Sequence, residues 1–260
     1  MLPEDSMKGL GPTWSSIRLN ALLLSTLLLS GCIGFVGDDS EGLGLVVESD
    51  DGHGVIQSLF EDGSEISVNI PSITFDFSAS TNYGQSILFG VDPGDGREPI
   101  TIFPSDTTEI SVEFAKHGLY SVNAFGVDES GLRTDRVIQV KIEHQIDWYE
   151  NNTGTPEVFV FDSTPGNNGP IPSYFLLNSI VENPSVIEID GREVDVRWEI
   201  VNYEGVCQTA TESVANGHEK LWKTIHFGPL EIHEIRLAIE DGQDRINVHH
   251  QLEIRYPGSD

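Results

Sequence analysis

Cysteine is scarce in this chain of 260 residues, which contains only Cys32 and Cys207. An exported protein of this size that relied on disulfides for stability would carry more of them. Cys32 directly follows an apolar N-terminal segment, so it is expected to belong to an export signal rather than to a disulfide. Cys207 is therefore expected to be an unpaired thiol, buried as a small apolar side chain.

Basic residues are also scarce, because 14 lysines and arginines are set against 42 aspartates and glutamates, for a formal net charge of −28. Such a surface repels nucleic acids and anionic lipid headgroups, whereas it attracts cations and basic partners. Nucleic acid is thus excluded as a partner. The same charge is also explained by solubility in a salty medium, in which counter-ions screen the self-repulsion.

Motifs of catalysis and of cofactor binding are missing. The sequence has no G-x-S-x-G nucleophile motif and no glycine-rich loop followed by the Lys-Ser/Thr pair of a phosphate site. His226 and His233 lack a third ligand at a zinc spacing, and His249 and His250 are neighbours that point to opposite faces of a strand. We therefore expect a non-enzymatic protein without a cofactor. An open pocket that joins His226 or His233 to an acidic residue would favour an enzyme instead.

The first 31 residues have the features of an export signal. Lys8 and Arg18 precede the apolar run ALLLSTLLL, and small residues follow it up to Cys32. The segment LSGC at 29–32 resembles the lipobox of prokaryotic lipoproteins, which implies cleavage before Cys32 and lipidation of its sulfur. The alternatives are ordinary secretion and an uncleaved anchor, for which the run is short compared with the ~20 residues that a bilayer requires. Lipidation would place the protein in the cell envelope, on the outer face of the membrane.

Residues 32–54 are rich in Gly, Asp and Glu and show little periodicity, which predicts a flexible acidic tether. From residue 55 onwards, short runs alternate apolar and polar residues and are separated by Gly, Pro, Asp and Asn. Examples are ISVNI, ITFDFSA and VIQVKIEH. This period of two predicts an all-β fold built from antiparallel β-sandwiches.

Three motifs in the first half resemble the polycystic-kidney-disease (PKD) family of immunoglobulin-like sandwiches. In order, they are FDFSAS, FGVDPGDG and VEFAKHGLYSVNAFGVDESG. The matching positions are Asp92, Gly94, Asp95 and Gly96, followed by Gly118, Tyr120, Val122 and Asp128. Val91 and Pro93 stand where the family has tryptophan and phenylalanine, so core packing differs there. The resemblance implies a PKD-like sandwich at 55–146 that acts as a spacer or binds protein or carbohydrate.

A second, more diverged PKD/Ig-like sandwich is predicted at 156–257, after a linker at 147–155. EVFVFDS, VDVRWEIV and IHFGPLEIHEIRLAIEDG repeat the pattern of the first half. The second copy contains an insertion at 165–191. Tyr174 and Phe175 in this insertion are the predicted ligand contacts if they are exposed. The alternative is that the insertion covers the second core.

The segment VDPGDG is expected to form a tight turn, because Pro presets φ, Gly supplies positive φ, and Asp side chains bond to neighbouring amides. The alternative is a calcium site, since Asp92, Asp95 and Glu98 offer the oxygen ligands that this cation prefers. The EF-hand spacing is absent, and no other cofactor is indicated.

These observations favour a non-enzymatic, lipid-anchored cell-surface protein that acts as a binding, adhesion or spacer module. Its expected partners are the membrane, through the N-terminal lipid, and an extracellular protein or carbohydrate. Two alternatives remain open: an accessory or targeting module of an extracellular degradative enzyme system, and a surface stalk stiffened by calcium.

Overall fold

The computed structural model describes residues 43–50, 52–81, 86–185 and 192–258. The predicted signal segment and Cys32 lie outside the described residues. Every regular element in the described part is a β-strand, and nearly all pairings are antiparallel, which confirms the all-β sandwich class. No helix within these ranges could cross a membrane. The strands are β1 (Glu48–Ser49), β2 (His53–Glu61), β3 (Ser64–Asn69), β4 (Ser72–Asp76), β5 (Ser86–Asp92), β6 (Ile100–Ile102), β7 (Glu109–Glu113), β8 (Gly118–Asp128), β9 (Arg133–Thr153), β10 (Phe159–Asp162), β11 (Tyr174–Asn183), β12 (Val194–Asn202), β13 (Gly205–Val214), β14 (His218–His226), β15 (Ile232–Gly242) and β16 (Ile246–Arg255).

The first sandwich encloses its core between two sheets. One sheet has the order β1-β4-β7, and the other is the part of a nine-stranded sheet that contains β2, β9, β8, β5 and β6. The alternation predicted from ITFDFSA and VIQVKIEH is confirmed, since Phe75 and Phe77 are fully buried and belong to one core with Val140 and Ile142. Phe77 stacks on Phe89 of the facing sheet with ring centroids 4.6 Å apart, which joins the two layers.

The last part of the predicted tether belongs to this sandwich. Leu43 and Leu45 are buried in the first core, and β1 and the start of β2 lie within 32–54. Gly126 makes room for them, because a Cβ at this position would lie only 2.4 Å from the Leu43 side chain. The structure thus differs from the tether prediction over the described residues. The reason is that Leu43, Leu45 and Val47 alternate as a strand does, although acidic residues and glycine surround them.

β9 continues through residues 147–153 of the predicted linker at 147–155. On one face of this 21-residue strand, Val140 and Ile142 belong to the first core, whereas Ile146 and Trp148 belong to the second. Its polar side chains, which suggested a linker, form the opposite face. β8 and β16 pair with successive parts of one edge of β9, and β2 pairs in parallel along the other edge. A single sheet therefore passes from the first sandwich into the second.

The second sandwich has a strand order of its own. Its sheets are β10-β15-β12-β13 and β9-β16-β11-β14, the order of a double Greek-key jelly roll. The repeat in the sequence predicts a second copy of the first sandwich. The structure differs from this prediction, because the two sandwiches have different strand orders. β11, from the predicted insertion at 165–191, is an inner strand between β14 and β16, and its Phe175 and Leu177 are buried in the core. The alternative in which the insertion covers the core agrees with the structure.

Cys207 is exposed, whereas the sequence had predicted a buried thiol. The reason is a local irregularity in β13. Ile200 pairs with Gln208 and Val201 pairs with Val206, so Cys207 is the extra residue of a β-bulge. The prediction rested on the small apolar character of an unpaired thiol, which does not reveal a bulge.

Candidate functional site

The segment predicted to be a turn or a calcium site follows β5 and has the geometry of a turn. The Asp92 carboxylate accepts a hydrogen bond of 2.9 Å from the amide of Gly94, and Asp95 accepts one of 3.1 Å from the amide of Arg97. Gly94 and Gly96 have φ values of 75° and 88°, in the left-handed region that favours glycine. These bonds are the side-chain-to-backbone contacts that stabilise turns.

Asp95 is also paired with Arg97, whose Nε donates a hydrogen bond of 2.7 Å to it. Partial burial raises the pKa of Asp95, but the hydrogen bonds and charge of Arg97 outweigh burial and bring the pKa below its usual value. Glu98 is exposed. Within the described residues, no three His, Cys, Asp or Glu side chains are arranged to hold a metal ion.

The two predicted contacts in β11 lie on opposite faces of the sheet. Phe175 is 2% exposed and belongs to the second core. Tyr174 is partly exposed and pairs with Arg255 of β16, so it lies at one end of the outer face of the nine-stranded sheet. That face, rather than the centre of the insertion, carries the concentration of polar and aromatic side chains in the second sandwich.

Polar side chains from three neighbouring strands form a row on this outer face. Asp147 of β9 pairs with Gln251 of β16, which pairs with Asn178 of β11. Directly opposite residues share one face of a sheet, so the three side chains lie side by side. An adjacent row contains Tyr149 and His249. We call the following group the Asp147 face: Gln145, Asp147, Tyr149, Asn178, His249 and Gln251.

Hydrogen bonds fix the polar members of the Asp147 face around one carboxylate. Asp147 accepts bonds from the side-chain amides of Gln145 (2.8 Å) and Gln251 (3.3 Å), and His249 Nε2 lies 3.4 Å from it. The Asn178 amide in turn donates to Gln251 at 3.4 Å. All of these side chains are partly exposed, so they offer preset donors and acceptors to a ligand in solution.

Tyr149 and His249 add a pair of stacked aromatic rings to this group. Their rings stack with centroids 4.1 Å apart and an interplanar angle of 12°. Burial and the neighbouring Asp147 charge raise the pKa of Tyr149, so its phenol remains protonated at neutral pH. A ligand with apolar C–H groups on one side and hydroxyl groups around its edge could contact both parts of the face.

A buried ion cluster supports one end of the face. Glu143 of β9 is 2% exposed and accepts a hydrogen bond of 2.8 Å from Arg255 Nη1, while His53 Nε2 lies 3.2 Å from it. Arg255 also binds Glu253 on its own strand. The charges of Glu143 and Glu253 outweigh burial and raise the pKa of Arg255. These contacts connect β2, β9 and β16 at this end of the sheet.

The histidines of the enzyme alternative are part of the second core. His226 and His233 are 5% and 0% exposed, and their rings meet edge to face at 5.2 Å. His233 stacks on Phe161 at 5.1 Å, and Phe175 lies 5.5 Å from it. Burial and the neighbouring His233 lower the pKa of His226. These two side chains do not form an open pocket.

Comparisons with known proteins give a limited result. No known protein family matches the sequence, and no curated protein is similar to it. A solved carbohydrate-binding module of the β-sandwich superfamily is similar at 10% identity and a TM-score of 0.31, over 80% of this chain and 95% of the module. A Bacteroides uniformis β-glucuronidase is similar at 9% identity and a TM-score of 0.27, over 82% of this chain and 30% of the enzyme. A Clostridium perfringens ZmpB structure with CBM51-2 and INT domains is similar at 7% identity and a TM-score of 0.20, over 79% of this chain and 48% of the ZmpB chain. At these scores the likenesses carry no argument about function.

Sequence reasoning missed all six residues of the Asp147 face, although Tyr174 lies on the same outer face of the sheet. Gln145 lies at the end of the predicted first sandwich, and Asp147 and Tyr149 fall in the predicted linker. Their alternation with Ile146 and Trp148 was the available signal. The contribution of β16 and β11 could not be predicted, because it depends on pairings between strands far apart in sequence.

Proposed function

We propose that this protein is a non-enzymatic, lipid-anchored module of the cell envelope that binds an uncharged carbohydrate through the Asp147 face. The observation that supports this most directly is the combination, on one rigid sheet, of the Tyr149–His249 ring pair with the hydrogen-bonded group around Asp147.

The chemistry of a sugar ring matches both parts of the face. Its C–H groups can pack on the rings of Tyr149 and His249, and its hydroxyls can donate to Asp147 and exchange hydrogen bonds with Gln251 and Asn178. Because these side chains already hold one another in place, binding orders few additional groups and costs little conformational entropy.

Charge selects among carbohydrates. The chain has a net charge of −28, and Asp147 and Glu253 lie in adjacent rows of the face. A uronic acid or a sulfated sugar would be repelled by the net negative charge of the chain and by the carboxylates of Asp147 and Glu253. An uncharged glycan avoids this repulsion and still uses the carboxylate of Asp147 as an acceptor.

The remaining parts of the proposal concern the first sandwich and the N-terminus. β1-β4-β7 facing β5-β8-β9 fits the A-B-E and C-F-G sheets of an immunoglobulin-like sandwich, which supports a PKD-like spacer. The LSGC segment supports lipidation at Cys32. Together they would hold the Asp147 face away from the membrane.

The test is binding of the purified protein to soluble glycans, measured by affinity electrophoresis and calorimetry. We expect binding to one or more neutral polysaccharides among β-glucans, mannans and xylans, and weaker binding to polyuronates. Asp147→Ala and Tyr149→Ala should each weaken binding at least tenfold, which corresponds to about 1.4 kcal/mol.

Tyr203→Ala is the matched control, because Tyr203 is 78% exposed just after β12, away from the Asp147 face. It should leave affinity unchanged. The proposal fails if no neutral glycan binds, or if the Tyr149 and Tyr203 variants bind equally well.

A further inference from the structure

The two sheets of the second sandwich differ in width beside β10. Trp148 of β9 stacks on Phe159 of β10 with centroids 5.0 Å apart, so β10 lies over β9. β10 is the last strand of its sheet, whereas the facing sheet continues past β9 to β2 and β3. Beside Val160 of β10 and above β2 and β3, the described residues therefore leave an open position, whereas His117 of the first sandwich closes the Asp162 end of β10.

Apolar side chains form the base and one wall of this empty position. Val68 pairs with Ser58, and Glu65 pairs with Phe60, so these four side chains share the inner face of the β2–β3 hairpin. Val68 is 41% exposed, and Val160 on β10 is 51% exposed. We call this region the β10 notch: Ser58, Phe60, Glu65, Val68, Val160 and Phe161. All of these residues except Val68 line a cavity of about 240 Å³, which Lys116 and His117 also line and which is large enough for one anchoring side chain.

The backbone of β10 is open towards the notch. Among the described residues, β10 pairs only with β15. The carbonyl of Asp162 accepts a hydrogen bond of 3.3 Å from His117 Nε2, so it points away from β15. Backbone groups of alternate residues in a strand point in the same direction, so the amide and carbonyl of Val160 are available to a new strand.

The charges around the notch favour one kind of partner. Glu65 and Asp162 line the cavity, and Asp62 and Glu157 are close to each other at the tip of the β2–β3 hairpin, where Gly63 lies beside the Glu157 side chain. Lys116 is the basic side chain among the residues that line the cavity. All four carboxylates are exposed, and the whole chain carries a charge of −28. A basic segment is attracted to this rim, whereas an acidic segment is repelled.

We propose that the β10 notch binds an extended basic segment of a partner protein, which pairs with β10 and completes the sheet. Its apolar side chains would alternate with lysine or arginine, so that one set covers Phe60 and Val68 and the other meets the acidic rim. This is recognition by β-strand addition, in which backbone bonds supply affinity and side-chain pockets supply specificity. The site is separate from the Asp147 face and does not depend on the carbohydrate proposal.

The test uses a heptapeptide in which Lys and Val alternate, with the full-length protein and about 0.15 M salt to screen non-specific attraction. We expect saturable binding by fluorescence anisotropy, and slower amide hydrogen exchange at Val160 and Asp162 in the complex. A block peptide of the same composition and a peptide with Glu in place of Lys should each bind at least tenfold more weakly.

Val160→Lys and Val68→Lys should each weaken binding of the alternating peptide at least tenfold, because both place a like charge in the notch. Val137→Lys is the matched control, since Val137 is 63% exposed on β9 in the first sandwich. All three replacements are at exposed positions, so the variants should fold, and circular dichroism checks this.

The proposal is overturned if the block and alternating peptides bind equally, or if the notch variants bind as the Val137 variant does. It is also overturned if the protein forms a dimer that Val160→Lys dissociates, because the occupant would then be a second copy of this chain.

Discussion

At the scale of single residues, the buried hydroxyl of Ser179 connects three strands of the second sandwich. It accepts a hydrogen bond of 2.7 Å from Trp198 Nε1 and lies 2.7 Å from His250 Nδ1. The hydroxyl is one donor and two acceptor lone pairs, so it can bond to a neutral His250 imidazole while it accepts from Trp198. Burial, with a smaller contribution from His249, lowers the pKa of His250 to about 3, so the imidazole is neutral. All three side chains are fully buried.

Ser179→Ala should therefore lower the free energy of unfolding by about 3 kcal/mol, because two buried polar groups lose their partner. Urea denaturation monitored by circular dichroism measures the change. Ser121→Ala is the control, since Ser121 is exposed and bonds to the Gln139 side chain, and it should change stability by less than ~0.5 kcal/mol. Equal stability of the two variants would show that Trp198 and His250 do not depend on Ser179.

The same three residues show how far sequence reasoning reaches at this scale. Trp198 and His250 lie between polar neighbours in alternating strands, the pattern typical of core-facing residues. Ser179 could not be identified, because a serine within an apparent insertion carries no sign of a buried partner. The partnership arises only when β11 lies beside β16 and faces β12.

At the scale of elements, the end of β9 is held by Glu150. This residue is 2% exposed, and its carboxylate accepts hydrogen bonds of 3.0 Å from Trp148 Nε1 and 3.1 Å from the Glu157 amide. It therefore fixes both the last core residue of β9 and the segment that leads into β10. Trp148 is in turn packed between Phe60 and Phe159.

Glu150→Ala should lower the free energy of unfolding by about 2 kcal/mol, because a buried indole N–H and a backbone amide lose a charged acceptor. Glu150→Gln keeps an acceptor oxygen in place and should recover part of the loss. The measurement is again denaturation in urea. If the alanine and glutamine variants are equally stable, the hydrogen bonds do not contribute.

The elements also differ in how well the sequence predicted them. β4 and β12 alternate strictly, so the period alone predicts them. The period predicts β9 as far as His144, whereas its continuation through Asp147 and Tyr149 falls in the predicted linker. β11 was taken for an insertion because Pro, Asn and Gly surround it. The jelly-roll order was not predicted, since it follows from pairings such as β9 with β16, which no local pattern encodes.

At the scale of the whole molecule, the two sandwiches share more than a covalent connection. The sheet continues through β9, and the described residues belong to one compact unit. His117 of the first sandwich donates from Nε2 to the Asp162 carbonyl and accepts at Nδ1 from the Tyr256 hydroxyl, at 3.3 and 2.8 Å. Burial lowers the pKa of His117, so it makes these bonds as a neutral imidazole. Two independent domains on a linker would lack such contacts.

We therefore expect one cooperative unfolding transition rather than two. Trp148, Trp198 and Trp222 lie in the second sandwich, so their fluorescence reports on that half, whereas far-ultraviolet circular dichroism reports on both. The two signals should have the same midpoint in urea, and the calorimetric and van't Hoff enthalpies should agree.

Tyr256→Phe removes one buried hydrogen bond across the junction and should lower the free energy of unfolding by about 1 kcal/mol. Because the halves unfold together, both signals should shift by the same amount. A shift of the fluorescence midpoint alone would mean that each sandwich unfolds independently despite the shared strand.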